Sequence, residues 1–211
     1  MSKSFHSYSP AIEGHGLPHD PVKACVVPRP IGWISSLGSD GVPNLAPYSF
    51  FNLIGDTPHM CAFASSGQKD TVTNVEANGE FVYNMVSEDL LDAMNLSSTT
   101  LPASVDEFEA AGLELLPSIR VKAPRVARSP IHLECKVFQI VDLPSKSEQR
   151  NTLVLAEIVA VHISQSVLVD GLIDLSLIKP LARLGYMEYA EFGNIFNLRR
   201  PQSLSDTPKR T

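Results

Sequence analysis

The chain has 211 residues, 44% hydrophobic and 19% charged, enough for one sizeable core with or without an appendage. Its formal net charge of −6, with no lysine or arginine block, argues against nucleic acid as the main partner. No apolar run approaches the roughly 18 residues that cross a membrane, and the opening stretch lacks a basic-then-apolar secretory pattern, so the expectation is a cytoplasmic protein with no membrane partner.

Residues 1–21 read as an irregular N-terminal arm with three prolines, and the pattern changes at Val22. "IGWISSL" (Ile31 to Leu37) has the β-branched and aromatic content of a strand and ends in "GSDG", a strong turn signal. "VPNLAPYSFFNLI" resumes extended character, with Pro43 and Pro47 marking an edge or a bend. "HMCAFA" and "EFVYNMV" are further strands. The helix between them has Asp70 or Thr71 available as N-cap and Gly79 as its stop. "SEDLLDAMNL" begins on a capping Ser87, and Ser104 with Glu107 forms an S-x-x-E capping box ahead of a helix stopped by Gly112. Two long β-like runs follow, Ile131 to Leu143 and Thr152 to Ile163. In the first, alternation puts Leu133, Cys135 and Val137 on a buried face and Glu134, Lys136 and Phe138 on a partly exposed one. "VLVDGLID" reads as strand and turn. The segment around Pro180 is mixed, since that proline limits any helix. The polar end from residue 193 reads as a loose tail, leaving 22–192 as the main domain.

Strands outnumber helices and do not alternate with them, which disfavours a doubly wound parallel sheet. A mainly β, antiparallel barrel or curled sheet with peripheral helices fits better. The three cysteines are far apart and apolar in surroundings, and read as buried reduced thiols. No G-x-G-x-x-G, Walker or G-x-S-x-G motif occurs, and no histidine pairing suggests a metal centre. The carboxylate pairs Glu88–Asp89 and Asp106–Glu107 fall in helix first turns, where the dipole and capping account for them.

One stretch raises a chemical question. "SSGQKDT" (Ser65 to Thr71) joins a strand to a helix start. Ser65, Ser66 and Thr71 bring hydroxyls, Gly67 permits close backbone approach, and Lys69 brings charge. The N–H groups of the helix start aim at the same place, as a phosphate site requires. A solvated turn with a capping Asp70 or Thr71 accounts for the same residues. A second cluster, Trp33, Ser35 and Ser36 with Ser49, Phe50, Phe51 and Asn52, mixes stacking surface with edge hydrogen bonds and suits a flat heterocycle; strand aromatics filling a core account for it too.

Together "VPRPIGWISSLGSDGVPNLAPYSFFN", "SSGQKDTVTNVEANGEFVYNMV" and "PRVARSPIHLECKV" resemble the flavin reductase-like proteins with an FMN-binding split barrel, over about Val22 to Tyr189. Flavoredoxins and the reductase components of two-component monooxygenases belong to that family. The resemblance implies a six-stranded Greek-key split barrel, a homodimer, and FMN near the subunit interface. Carried over, it puts Ser35 and Ser36 near the ribityl or phosphate, and Ser49, Phe50, Phe51 and Asn52 along the isoalloxazine. Ser65, Ser66, Lys69, Asp70 and Thr71 become the phosphate loop, and Arg183 approaches the flavin. Gln68 stands where many relatives carry arginine, so one cation is missing. The implied activity is NAD(P)H-dependent flavin reduction, with electrons or reduced flavin passing to a partner such as a monooxygenase. No side chain need act as acid or base. The alternatives are permanently bound FMN serving another substrate or electron transfer, a non-catalytic FMN-binding module, or the same barrel holding heme or a deazaflavin.

Overall fold

In the long strand Asn151–Ile163, Thr152, Val154 and Ala156 are buried while their neighbours are at least partly exposed, the period-2 pattern of a strand lining an interior. The computed structural model describes residues 4–99, 102, 105–191, 193–203, 206 and 208–210. Its elements in chain order are β1 (Arg29–Pro30), β2 (Gly32–Leu37), β3 (Pro43–Tyr48), β4 (Phe51–Asp56), β5 (His59–Ser66), α1 (Asp70–Asn78), β6 (Glu80–Asn84), α2 (Leu91–Leu96) and α3 (Glu107–Ala110). Then follow β7 (Leu115–Leu116), β8 (Arg125–Val126), β9 (Ile131–Leu143), β10 (Asn151–Ile163), β11 (Leu168–Val169), β12 (Leu172–Ile173), α4 (Leu175–Ile178), β13 (Leu181–Arg183) and β14 (Tyr189–Glu191).

One antiparallel sheet dominates, in the order β3-β2-β6-β9-β10-β5-β4. It has seven strands, one more than the six the resemblance implies. "VPNLAPYSFFNLI" is not one extended run. It breaks at Ser49–Phe50 into β3 and β4, which form the two opposite edges of the sheet. A two-residue link between the edges forces the sheet to curl. The curl closes on aromatic rings: Tyr48 of β3 meets Phe63 of β5 with centroids 4.9 Å apart. Phe51 of β4 stacks on Tyr83 of β6 at 4.6 Å and 5°. The protein is thus the mainly β split barrel with peripheral helices that the resemblance implies. Pro43 and Pro47 sit on an edge strand, where a missing N–H costs no ladder bond.

A second core lies outside the barrel, where Trp33 and Leu45 meet Val86, Leu90, Met94 and Phe108 under α2 and α3. Four local expectations are corrected. α1 starts one residue early, with Lys69 as N-cap, so Asp70 and Thr71 fall in its first turn and no side chain caps it. α3 is capped by Asp106, which accepts from Phe108 N at 2.8 Å and Glu109 N at 3.3 Å. The expected partner Ser104 lies outside the described residues. Ser87 precedes a 3-10 turn and bonds Asp89 instead of capping backbone. Cys61 and Cys135 are buried thiols with sulfurs 3.6 Å apart, but Cys25 is exposed.

Gly32 marks a close approach. A Cβ there would lie 2.6 Å from Phe51 Cγ, and Phe51 cannot yield because Tyr83 backs it. Gly32→Ala is therefore expected to cost about 1–3 kcal/mol by overpacking. Thermal unfolding should show a midpoint lowered by about 3–10 °C, and an unchanged midpoint would refute the contact.

Candidate functional site

Because β3 ends the sheet, its outer edge is paired by no described strand and faces a groove. One half is a cavity of about 380 Å³ lined by Asn44, Pro47, Lys69, Asp70, Thr71 and Glu107, with Gln68 and 97–99 at its rim. The other half, about 300 Å³, is lined by Ile31, Ser49, Met94, Asn95, Arg183 and Tyr189. Pro47 and Ser98 line both, so the two halves adjoin.

The first half gathers hydrogen-bond donors around one cation. The first-turn N–H groups of α1 have no side-chain cap. Asn44 Nδ2 donates to Thr71 Oγ1 at 2.8 Å and to Ser36 Oγ at 3.2 Å. Thr71 thus accepts from the wall, which leaves its proton to donate elsewhere. Tyr48 lies beneath, buried beside Ser65 and Thr71 with its hydroxyl in no hydrogen bond of ordinary geometry; burial raises its pKa. Lys69 Nζ stands 5.7 Å over the Tyr48 ring and is the one cation among the described lining residues. Glu107 is the buried counterweight. Burial raises its pKa, Leu45 N–H opposes that, and Asp70 and Asp106 add to the rise.

The second half offers flat surface. Arg183 and Tyr189 are cross-strand partners on β13 and β14, and the guanidinium lies 4.4 Å over the tyrosine ring. Arg183 Nη2 donates to Tyr186 O at 2.6 Å, which fixes its direction.

Of the expected site residues, the structure brings Lys69, Asp70, Thr71, Ser49 and Arg183 to the groove. The others stand elsewhere. Trp33 is fully buried in the second core and donates from Nε1 to Ser97 Oγ at 2.9 Å, so its ring packs and does not face the groove. Ser35 bonds Pro124 O and accepts from Asn84, and Ser36 accepts from Asn44 and Asn74. Both are wall groups with partners of their own. Phe50 is half exposed beside Lys23, and Phe51 lies inside the barrel. Asn52 is exposed on β4 and bonds Leu53 N. Ser65 is buried and bonds Gly67 O; Ser66 is exposed at the end of β5.

Asn44, Glu107, Tyr189 and residues 97–99 line the groove without having been singled out as site residues from sequence. Asn44 had a local signal, a buried amide between apolar strand positions. Glu107 was hidden behind a capping role. Gln68, in the place of the missing arginine, bonds Thr73 and Glu76. Arg150, just before β10, bonds Gln68 Oε1 at 3.2 Å but is paired with Glu76 and Asp142. Its charge is spent on those carboxylates.

The sequence model for the flavin reductase like domain matches residues 24–176. An uncharacterised protein of Aquifex aeolicus is 36% identical over 176 residues, covering 81% of this chain and 87% of that protein. Among solved structures, nitrilotriacetate monooxygenase component B from Bacillus cereus is similar at a TM-score of 0.86 and 27% identity, covering 93% of this chain and all of that one. The 2-nitrobenzoate 2-nitroreductase NbaA of Pseudomonas fluorescens has a TM-score of 0.78 and 33% identity, covering 88% and 91%. With the matched segment spanning the barrel and most of the groove, the chain belongs to the flavin reductase-like family.

Proposed function

We propose that the protein is an NAD(P)H-dependent oxidoreductase that uses FMN, held in the groove along β3. The observation that carries this reading is that the two cavities adjoin at Pro47 and Ser98: an end rich in hydrogen-bond donors and a flat end lie side by side along β3. The fit to FMN is chemical. Lys69, the Thr71 hydroxyl and the uncapped first turn of α1 would hold a phosphate monoester. Ile31, Pro47, Met94 and the Arg183–Tyr189 stack would bed the ring system, with Ser49 at its edge. A site for a phosphate monoester favours FMN, which ends in one, over FAD, whose phosphates are both esterified. When bound, a flavin would supply the redox chemistry of hydride transfer. The chain's part is to bind, orient and screen from water, and no side chain is assigned as acid or base.

Leu53 and Ile54 are 61% and 51% exposed on the edge strand β4, an apolar edge that supports a homodimer. The similarity to a monooxygenase component B supports a partner monooxygenase receiving reduced flavin. No described helix is long and apolar enough to cross a membrane, and we place the protein in the cytoplasm.

One observation favours a second reading. The similarity to a nitroreductase at 33% identity fits FMN held permanently and used on an organic substrate. Anaerobic mixing with NADH and NADPH separately, with and without added FMN, tests both. Bleaching of added FMN with turnover of free flavin is expected for the reductase. Bleaching confined to the flavin that copurifies marks the second reading. A colourless protein whose melting temperature neither FMN nor FAD shifts refutes both.

A further inference from the structure

Glu107 occupies the first position of α3, yet the helix does not need it: Asp106 already caps the first turn. The side chain instead crosses to β3, where Oε2 accepts from Leu45 N at 3.1 Å. That bond satisfies an N–H on an edge strand, which any acceptor could do. It uses one oxygen. Oε1 receives no hydrogen bond from another described residue, and the carboxylate lines the same cavity as Lys69 and Thr71. The group is 7% exposed and stands near two other acids, so it is kept against both desolvation and like-charge repulsion. A purely structural acceptor for Leu45 would escape the second cost as a glutamine.

Within the reading of the groove as a flavin site, on which this inference rests, the cavity holding Glu107 also holds the phosphate-binding groups, and the flat end lies beyond Pro47. What lies between a phosphate and an isoalloxazine is a polyol chain. Hydroxyls are donors, and a buried carboxylate oxygen without a protein donor is the acceptor that suits them. We propose that Glu107 is a specificity-determining residue that accepts hydrogen bonds from the ribityl hydroxyls, so that the groove selects a flavin carrying the polyol over a bare ring.

The test compares FMN, riboflavin and lumiflavin, which lacks the ribityl chain, by fluorescence titration of the wild type and of Glu107→Gln. Glutamine keeps an amide oxygen for Leu45 N but turns an N–H₂ toward the groove. In the wild type, riboflavin should bind at least about tenfold tighter than lumiflavin, the lower end of the usual weight of a charge-assisted hydrogen bond. In the variant, riboflavin should weaken about five- to tenfold while lumiflavin stays within about twofold. Equal weakening of both ligands, or none, would overturn the proposal. Should the variant fail to fold, the wild type decides alone: equal affinity for riboflavin and lumiflavin overturns it. If none of the three flavins binds the wild type, the flavin reading itself falls, and this inference with it.

Discussion

Replacing Lys69 by alanine is expected to raise the FMN dissociation constant about 10- to 100-fold, from the 1.5–3 kcal/mol of a hydrogen bond to a charged group. Riboflavin, which has no phosphate, should change by no more than about twofold. The separation follows from the charges in the half of the groove that Lys69 lines. Asp70 and Glu107 are the acids there, and Lys69 is the one cation among the described lining residues. Without it a phosphate monoester would meet two carboxylates with only the helix N–H groups and hydroxyls in its favour. Arg150 does not step in, because Glu76 and Asp142 hold it. The substitution is clean structurally. Lys69 is exposed, and its contact with the rest of the fold is the approach to the Tyr48 ring at 5.7 Å. Folding stability should therefore move by less than about 0.5 kcal/mol. Equal losses for FMN and riboflavin would take Lys69 out of the phosphate role.

The parts of this fold that were legible are those governed by local period and punctuation. β9 runs from Ile131 to Leu143 as the alternation suggests. Gly79 ends α1 with φ of 68°, a conformation glycine adopts without a Cβ penalty. What was not legible depends on chain brought from elsewhere. The break at Ser49–Phe50 carries no glycine, proline or asparagine, and only the closing barrel imposes it. Trp33, beside two serines, had the composition of a ligand platform. Its indole is claimed by Ser97, 64 residues away. The groove was half visible: Gln68 to Thr71 is one contiguous stretch, whereas Asn44 and Glu107 in the same half, and Ser49, Met94 and Tyr189 in the flat half, come from distant segments.

Glu134 is the sharpest case, and it yields the largest expected stability effect. Alternation in β9 puts it with Lys136 and Phe138 on the partly exposed face. Those two are exposed; Glu134 is fully buried. The segment 119–121 folds over that face and aims three backbone N–H groups at the carboxylate: Ile119 at 2.8 Å, Arg120 at 2.6 Å and Val121 at 3.1 Å. His162 Nε2 adds a fourth contact at 2.6 Å. Burial by itself would raise the carboxyl pKa, but the Ile119 N–H, His162 and the Arg120 N–H outweigh it and hold the group below its ordinary value. Glu134→Gln keeps the volume and sets an amide N–H₂ against groups that are already donors. Leaving such donors buried and unpaired should cost about 3–5 kcal/mol, a midpoint lower by about 10 °C for a chain of this size. The pH dependence carries the sign of a depressed acid. The contribution is fully present above the unfolded-state value of about 4.3. It is lost as pH falls through the lower folded-state value. Urea unfolding should therefore show the full gap between wild type and variant at pH 7 and a shrinking gap below about pH 4. A gap under about 1 kcal/mol at pH 7 would mean that segment 119–121 is held by its apolar contacts alone. Since Glu134 lines neither half of the groove, FMN affinity measured well below the variant's melting point should match the wild type, which separates this buried acid from Glu107, where the same substitution should be felt by the ligand.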